Sequence, residues 1–339
     1  MMPQGSNHRN RLERCLSGEL PDRVPVALWR HFPVDDQDPY SLIAATIGFQ
    51  QTFDFDLVKV TPTSSFCLKD WGSEDRWNGN TEGTREYTRR VIQTPEDWLH
   101  LHRPDPQQGS LGAQLEVLNR LVPHLEQHTP VLQTIFSPLA QAKNLVGGET
   151  LLVHLRKYPG FLHEGLRRIT ETTLDFLKEA IATGISGVFY AVQHAQYGLL
   201  SQEEYIEFGK KYDLDVLNAV DKLWLNMLHL HGVEVMFDAV QDYPIQMINW
   251  HDRETAPNLA QAAGLYSGVL CGGLSRWNTM VLSDPAGIRR EAQNAIEQTG
   301  GRKFILGTGC VLPIIAPHGN ILAARRSVEA ENGPARGKR

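Results

Sequence analysis

The sequence predicts an α/β protein folded as a (β/α)8 TIM barrel with an insertion after the second strand. Three observations predict it. Eight short apolar runs recur along the 339 residues, continuous rather than alternating, the pattern of parallel strands buried on both faces. Longer amphipathic stretches separate most of them, as helices that carry a chain from one parallel strand to the next. Eight such repeats are enough to close a barrel, whose core usually takes about 250 residues.

The first two runs are 24–29 and 57–60. The interval 61–129 is too long for a single crossover and carries Trp71, Trp77 and Trp98 among many polar residues. It reads as the insertion: an irregular segment over the barrel mouth, then helices near 95–100 and 111–125. The third and fourth runs are 131–135 and 187–192. Ser201-Gln202-Glu203-Glu204 is a capping box before Tyr205-Ile206-Glu207-Phe208, where a helix is expected. Runs five to eight are 226–231, 247–250, 268–271 and 303–306. Before the last, Asp284 offers an N-cap, Pro285 fits the first helical position, and Gly300-Gly301 stops the helix. Gly147-Gly148 and Gly272-Gly273 read as turns. Residues 1–330 form one domain, and the polar segment 331–339 reads as a disordered tail.

Composition narrows the function. Hydrophobic residues make up 41%, enough for a substantial core, and the net charge is −6. No basic run points to nucleic acid. No apolar run approaches the roughly 20 residues of a membrane span, and the first residues lack the apolar stretch of a signal peptide. The expected location is the cytoplasm. The four cysteines, Cys15, Cys67, Cys271 and Cys310, contain no Cys-x-x-Cys pair. The first three read as small buried apolar residues. There is no Gly-x-Gly-x-x-Gly fingerprint, Walker sequence or Gly-x-Ser-x-Gly elbow.

The chemistry-bearing residues fall at the predicted strand ends, where barrel enzymes keep their active groups. In Met227-Leu228-His229-Leu230-His231-Gly232 the two histidines sit two apart, so on a strand they share a face. Two buried histidines hydrogen-bonded to neighbours would give the same pattern. With Cys310, in Gly307-Thr308-Gly309-Cys310, they would make a three-ligand zinc site with an open fourth position. Arg30 and His31 follow the first run, Gln193 and His194 the fourth, and Asn249, His251, Asp252 and Arg253 the sixth. Arg30 suits a substrate carboxylate or phosphate, or else a surface ion pair. His31, Gln193, His194 and Asn249 are read as substrate-facing, and His251 or Asp252 as a support that orients a metal-bound histidine.

Several segments resemble the uroporphyrinogen decarboxylase superfamily. They are Pro25-Val26-Ala27-Leu28-Trp29-Arg30, Gly187-Val188-Phe189-Tyr190-Ala191-Val192-Gln193, Leu228-His229-Leu230-His231-Gly232, Ile248-Asn249-Trp250-His251 and Ile305-Leu306-Gly307-Thr308-Gly309-Cys310. The resemblance implies the same barrel and one of two chemistries. Its decarboxylases strip carboxylates from porphyrinogens without a cofactor. Of their Met-Arg-Gln-Ala-Gly-Arg segment only the first arginine is matched, by Arg30, while Val34 stands at the second. Their tyrosine falls on Asn144, and their late histidine falls near Cys310. The corrinoid-linked methyltransferases carry His-x-Cys-Gly and a later Gly-x-x-Cys that bind zinc. Here His229 and Cys310 match, and His231 stands in place of the middle cysteine. The resemblance therefore implies zinc on His229, His231 and Cys310, and methyl transfer from a corrinoid, supplied by a partner protein, to a small thiol. Arg30, Gln193 and His251 would serve the reaction. A cofactor-free decarboxylase and a non-catalytic tetrapyrrole- or corrinoid-binding protein are the alternatives. Pairing into a homodimer is a further expectation.

Overall fold

The structure is a computed structural model and describes residues 7–329. The expected tail lies outside them. Seven parallel strands form one curled, TIM-like sheet: β1 (Val58–Val60), β4 (Val131–Phe136), β5 (Gly187–Val192), β6 (Met227–Leu230), β7 (Met247–Trp250), β8 (Val269–Leu274) and β9 (Phe304–Thr308), neighbours in that order. Each pairs with the next in parallel, and helices make the connections. Between β1 and β4 the chain forms an antiparallel ribbon of β2 (Glu74–Arg76) and β3 (Glu86–Arg89). A 3-10 turn at Pro95–His100 and a helix at Gly109–Leu125 follow.

The run 24–29 corrects one expectation: it is extended but is not a regular strand. It sits between the two edges of the curled sheet. Ala27 N donates to Leu306 O at 2.9 Å, and Leu306 N donates to Pro25 O at 2.8 Å. Asp56 N, just before β1, donates to Val26 O at 2.9 Å. Pro25 has no N–H to give, so a full ladder cannot form and isolated bridges remain.

The helix starts read from sequence are present. Ser201 and Glu204 exchange capping bonds, and Asp284 accepts from Gly287 N at 2.7 Å. Gly300 closes the helix Pro285–Thr299 in the left-handed region, at φ 62°. Gly272-Gly273 is not a turn but lies inside β8. The reason is a close approach. A Cβ on Gly272 would lie 2.4 Å from Asp252 Oδ1, and Gly273, at φ 103°, donates its N–H to both Asp252 oxygens at 3.1 Å.

The apolar core has two parts. One lies inside the curled sheet and includes Trp29, Leu132, Phe189, Met227, Met247, Cys271 and Ile305. The other, with Leu228, Leu230, Ile248 and Trp250, packs the outer face against the helices. This alternation turns Met227 and His229 inward, with His231 continuing the same phase. The helix His8–Ser17 closes the far end of the barrel, adding Leu12 and Cys15 to the inner cluster. Cys271 is also buried, whereas Cys67 is half-buried. Among the described residues no helix is long and apolar enough to cross a membrane.

Candidate metal centre

Four side chains meet at the C-terminal ends of β6, β7 and β9: His229, His231, His251 and Cys310. One ligand atom of each lies within 4.8 Å of the other three. Metal bonds of about 2.0–2.3 Å set tetrahedral ligand atoms roughly 3.3–3.8 Å apart, so modest contraction would seat an ion.

Each ligand is aimed by its surroundings. His229, in β6, is level with Asn249 in β7. The Asn249 amide nitrogen donates to Cys271 O at 2.9 Å and Thr308 O at 3.0 Å, which turns its oxygen to His229 Nδ1 at 2.7 Å. His229 Nδ1 must therefore carry the proton, leaving the Nε2 lone pair for the cluster. Phe189 stacks on the same ring, with centroids 5.3 Å apart. His231 follows β6. Its backbone N–H donates to Val192 O, and its Nδ1 lies 3.7 Å from Cys310 Sγ. His251 follows β7. Its Nδ1 meets Glu254 Oε2 at 3.1 Å, while its buried Nε2 has no hydrogen-bond partner. An orphaned imidazole nitrogen beside a thiol, with a carboxylate on its other nitrogen, is the arrangement of a metal ligand. Cys310 reaches the cluster because Gly309 passes β7 closely: a Cβ there would lie 2.7 Å from Trp250 O.

Electrostatics favour a thiolate. Burial alone would raise the Cys310 thiol, but the imidazoles around it, His229 foremost and then His231 and His251, hold it well below the usual range. Burial opposes charge at His251 too, yet the Cys310 sulfur and Glu254 raise its pKa. Burial, only partly offset by Cys310, lowers His229. A divalent cation would take the place of the shared proton. The other cysteines are of the opposite kind: burial pushes Cys15 up to about 12 and raises Cys67 and Cys271 as well.

His229, His231 and Cys310 face a cavity of about 710 Å³, and His251 backs them from behind. Of the other residues singled out in the sequence, His31, Gln193 and His194 line this cavity. Burial and then Lys59 lower His31 to about 3; burial and then Lys143 do the same for His194, so both rings are neutral at neutral pH. Two expected roles change. Asn249 is fully buried and absent from the cavity wall; its polar atoms orient His229 instead of touching substrate. Arg30 also lies off the wall. Trp29 and His31 line the cavity, so the residue between them points away, with its guanidinium 5.5 Å from the Phe32 ring centroid. The cations that do line the cavity are Lys59, Arg85, Arg90 and Lys143. Sequence reading missed them, although a lysine inside the buried apolar run Val58-Lys59-Val60 was a signal.

The ribbon covers part of the mouth. Arg85 is buried there in ion pairs with Asp36 at 2.5 Å and Asp75 at 3.4 Å. Glu82 accepts from Arg276 and Trp277, both at 3.0 Å, across the opening.

Comparison with solved structures shows the fold shared. A methyltransferase from Methanosarcina mazei superposes with a TM-score of 0.83 at 18% identity, covering 95% of this chain and 98% of that one. A B12-independent methionine synthase from a Shewanella species gives a TM-score of 0.61 at 10% identity, covering 91% and 94%. A putative vitamin-B12-independent methionine synthase from Listeria monocytogenes gives 0.53 at 10% identity, covering 90% and 94%. A search of curated proteins finds no match. The family model described as uroporphyrinogen decarboxylase (URO-D) matches residues 7–330. The chain thus belongs to the uroporphyrinogen decarboxylase family.

Proposed function

We propose that this protein is a zinc-dependent methyltransferase that moves a methyl group between a corrinoid, carried by a partner protein, and a small thiol. The observation that carries the reading is the convergence of His229, His231, His251 and Cys310 beside a large cavity. The methyltransferase fold neighbour agrees with it. His229, His231 and Cys310 would hold the ion from the cavity side, and His251 would hold it from behind, either yielding its place to the acceptor thiol or remaining in an expanded five-coordinate shell. Zinc at such a centre lowers the pKa of a bound thiol, making the thiolate available at neutral pH.

The chain's own groups set the rest. Asn249 and Glu254 fix which nitrogens of His229 and His251 face inward. Three imidazoles and one thiolate leave a divalent ion with net positive charge, where a second cysteine would neutralise it. The ribbon, read as an insertion, shields the cavity from water on one side.

The test is direct. The full-length protein is purified with zinc and assayed for methyl transfer from methylcobalamin to a thiol. Stoichiometric zinc and chelator-sensitive transfer support the reading; transfer unaffected by chelator sinks it. A second reading, decarboxylation of a carboxylated tetrapyrrole, draws on the four cations of the cavity wall. It predicts carbon dioxide release from a porphyrinogen at full rate in chelator.

Asn249→Ala should weaken zinc binding by about 10–100-fold, the usual effect of losing a ligand's hydrogen-bond partner. The unfolding midpoint should fall as well, because the Cys271 and Thr308 carbonyls lose their donor. Competition with a chromogenic chelator measures the first effect and urea titration the second.

A further inference from the structure

The ribbon over the mouth is held differently at its base and at its tip. The base is fixed: Arg85 is tied to Asp36, Asp75 and the Pro33 carbonyl, with all three charged side chains buried. The tip, residues 77–84, is braced within itself. Trp77 Nε1 donates to Asn80 O at 3.0 Å, Glu82 N to Asn80 Oδ1 at 2.8 Å and Gly83 N to Asn80 O at 3.0 Å. These bonds let it move as one piece. Strands of 3 and 4 residues do not hold a two-stranded ribbon in place by themselves.

What holds the tip lies on the barrel. Glu82 accepts from Arg276 and Trp277, in the loop after β8, and Ile314 N donates to Thr81 O at 2.8 Å. Glu82 is half-buried, whereas Arg276 is buried and has no other carboxylate partner among the described residues. Lifting the tip would strand that guanidinium, so the resting state is closed. The same guanidinium reaches further. Its Nη1 donates to Val311 O at 3.2 Å, and Val311 directly follows Cys310. One buried cation thus joins the ribbon tip to the loop that carries the sulfur. Glu82, Arg85, Tyr87 and Val311 line the cavity, so a lifted tip would widen its entrance.

We propose that the ribbon tip is a lid on the cavity with Glu82 as its latch, and that Arg276 is a positioning residue coupling the closed lid to the Cys310 loop. A shut lid keeps water out and pins the sulfur; an open lid admits the reactant and slackens the loop. Such a lid serves any reactant the cavity takes, so it stands apart from the methyltransferase reading.

Hydrogen exchange and thiol labelling test this on the full-length chain, stripped of metal by chelator so that the sulfur is free. In Glu82→Gln the amides of 77–86 and 310–314 should exchange about 10-fold faster, the usual effect of weakening hydrogen bonds to a charged group. Amides of β5 and β8 should not change. Cys310 should react about 10-fold faster than in the parent with a bulky fluorescein maleimide, while small iodoacetamide gains less. Peptide mass mapping separates Cys310 from the half-buried Cys67. Arg276→Met should reproduce both changes. Unchanged exchange in the ribbon, or maleimide labelling as slow as in the parent, overturns the lid. A rise confined to the ribbon overturns the coupling to Cys310. A rise spread evenly through the barrel overturns both, since it marks general loosening.

Discussion

Cys310→Ala should strip the protein of zinc and abolish methyl transfer while leaving the fold in place. Cys310 is the one thiolate in a ligand set otherwise made of neutral imidazoles, and it supplies all of that set's negative charge. Losing an outer hydrogen-bond partner already costs about 10–100-fold in metal affinity, so losing this ligand should cost more than the upper figure. The side chain is small and sits at the rim of the inner core, so the stability of the metal-free protein should change little. Zinc per chain after gel filtration and transfer from methylcobalamin are the two measurements. A variant that keeps full zinc and full turnover would end the metal reading. His251→Ala provides the contrast: the three cavity-facing ligands remain, so zinc should bind more weakly yet stay measurable.

The second large effect lies at the opposite end of the barrel. Asp56 is completely buried and satisfied by charge. It accepts from Arg11 Nη1 at 2.6 Å, Arg23 Nη1 at 2.7 Å and Val26 N at 2.7 Å, and it meets His8 Nδ1 at 2.9 Å. One carboxylate thus ties the closing helix, the extended run 24–29 and the start of β1 together. Asp56→Asn leaves the Arg23 guanidinium without its counter-charge and Arg11 with Asp22 as its carboxylate partner, and should cost about 3–5 kcal/mol. The exposed pair of Arg103 and Asp175 is the control, where Asp175→Asn should change stability by about 0–1 kcal/mol. Urea unfolding followed by circular dichroism compares the two, and equal effects would contradict this account of the closing helix.

The same carboxylate sets a pH limit. Burial would raise its pKa, but the His8 bond and the guanidinium groups of Arg23 and Arg11 hold it well below the usual carboxylate range. A carboxylate depressed in the folded state stabilises fully above its unfolded pKa of about 3.9. That contribution disappears as pH falls through the lower folded value. Acid should therefore erode stability below about pH 4, and the Asp56→Asn variant should lack this part of the loss.

How much of this was legible depends on what each residue type signals. Continuous apolar runs located all seven strands of the curled sheet, because burial on both faces leaves an unbroken apolar mark. The run 24–29 carried the same mark, yet Pro25 denied it a regular ladder. Gly272-Gly273 signalled a turn, whereas Gly272 makes room for the Asp252 carboxylate and Gly273, at φ 103°, for the Ala295 methyl. The spacing of His229 and His231 was readable since strand period fixes their common face. His251 was read as a support, because only the tight return of the chain after β7, with Asp252 N bonded to Trp250 O, swings it into the cluster. Arg30 was misplaced for a related reason: in an irregular extended run, sequence does not fix which phase of the alternation faces inward. Lys143 and Arg90 come from a helix and from the end of the ribbon, so no local motif connects them.

The ligands of the metal centre are drawn from β6, β7 and β9, which are not all neighbours. Asn249 reinforces the span, reaching from β7 to backbone oxygens of β8 and β9. An ion seated there would act like a rivet through several planks of a cask, clamping the rim as well as activating a reactant. The tightness of the rim would then follow the supply of free metal, because whatever binds only the assembled state holds it together.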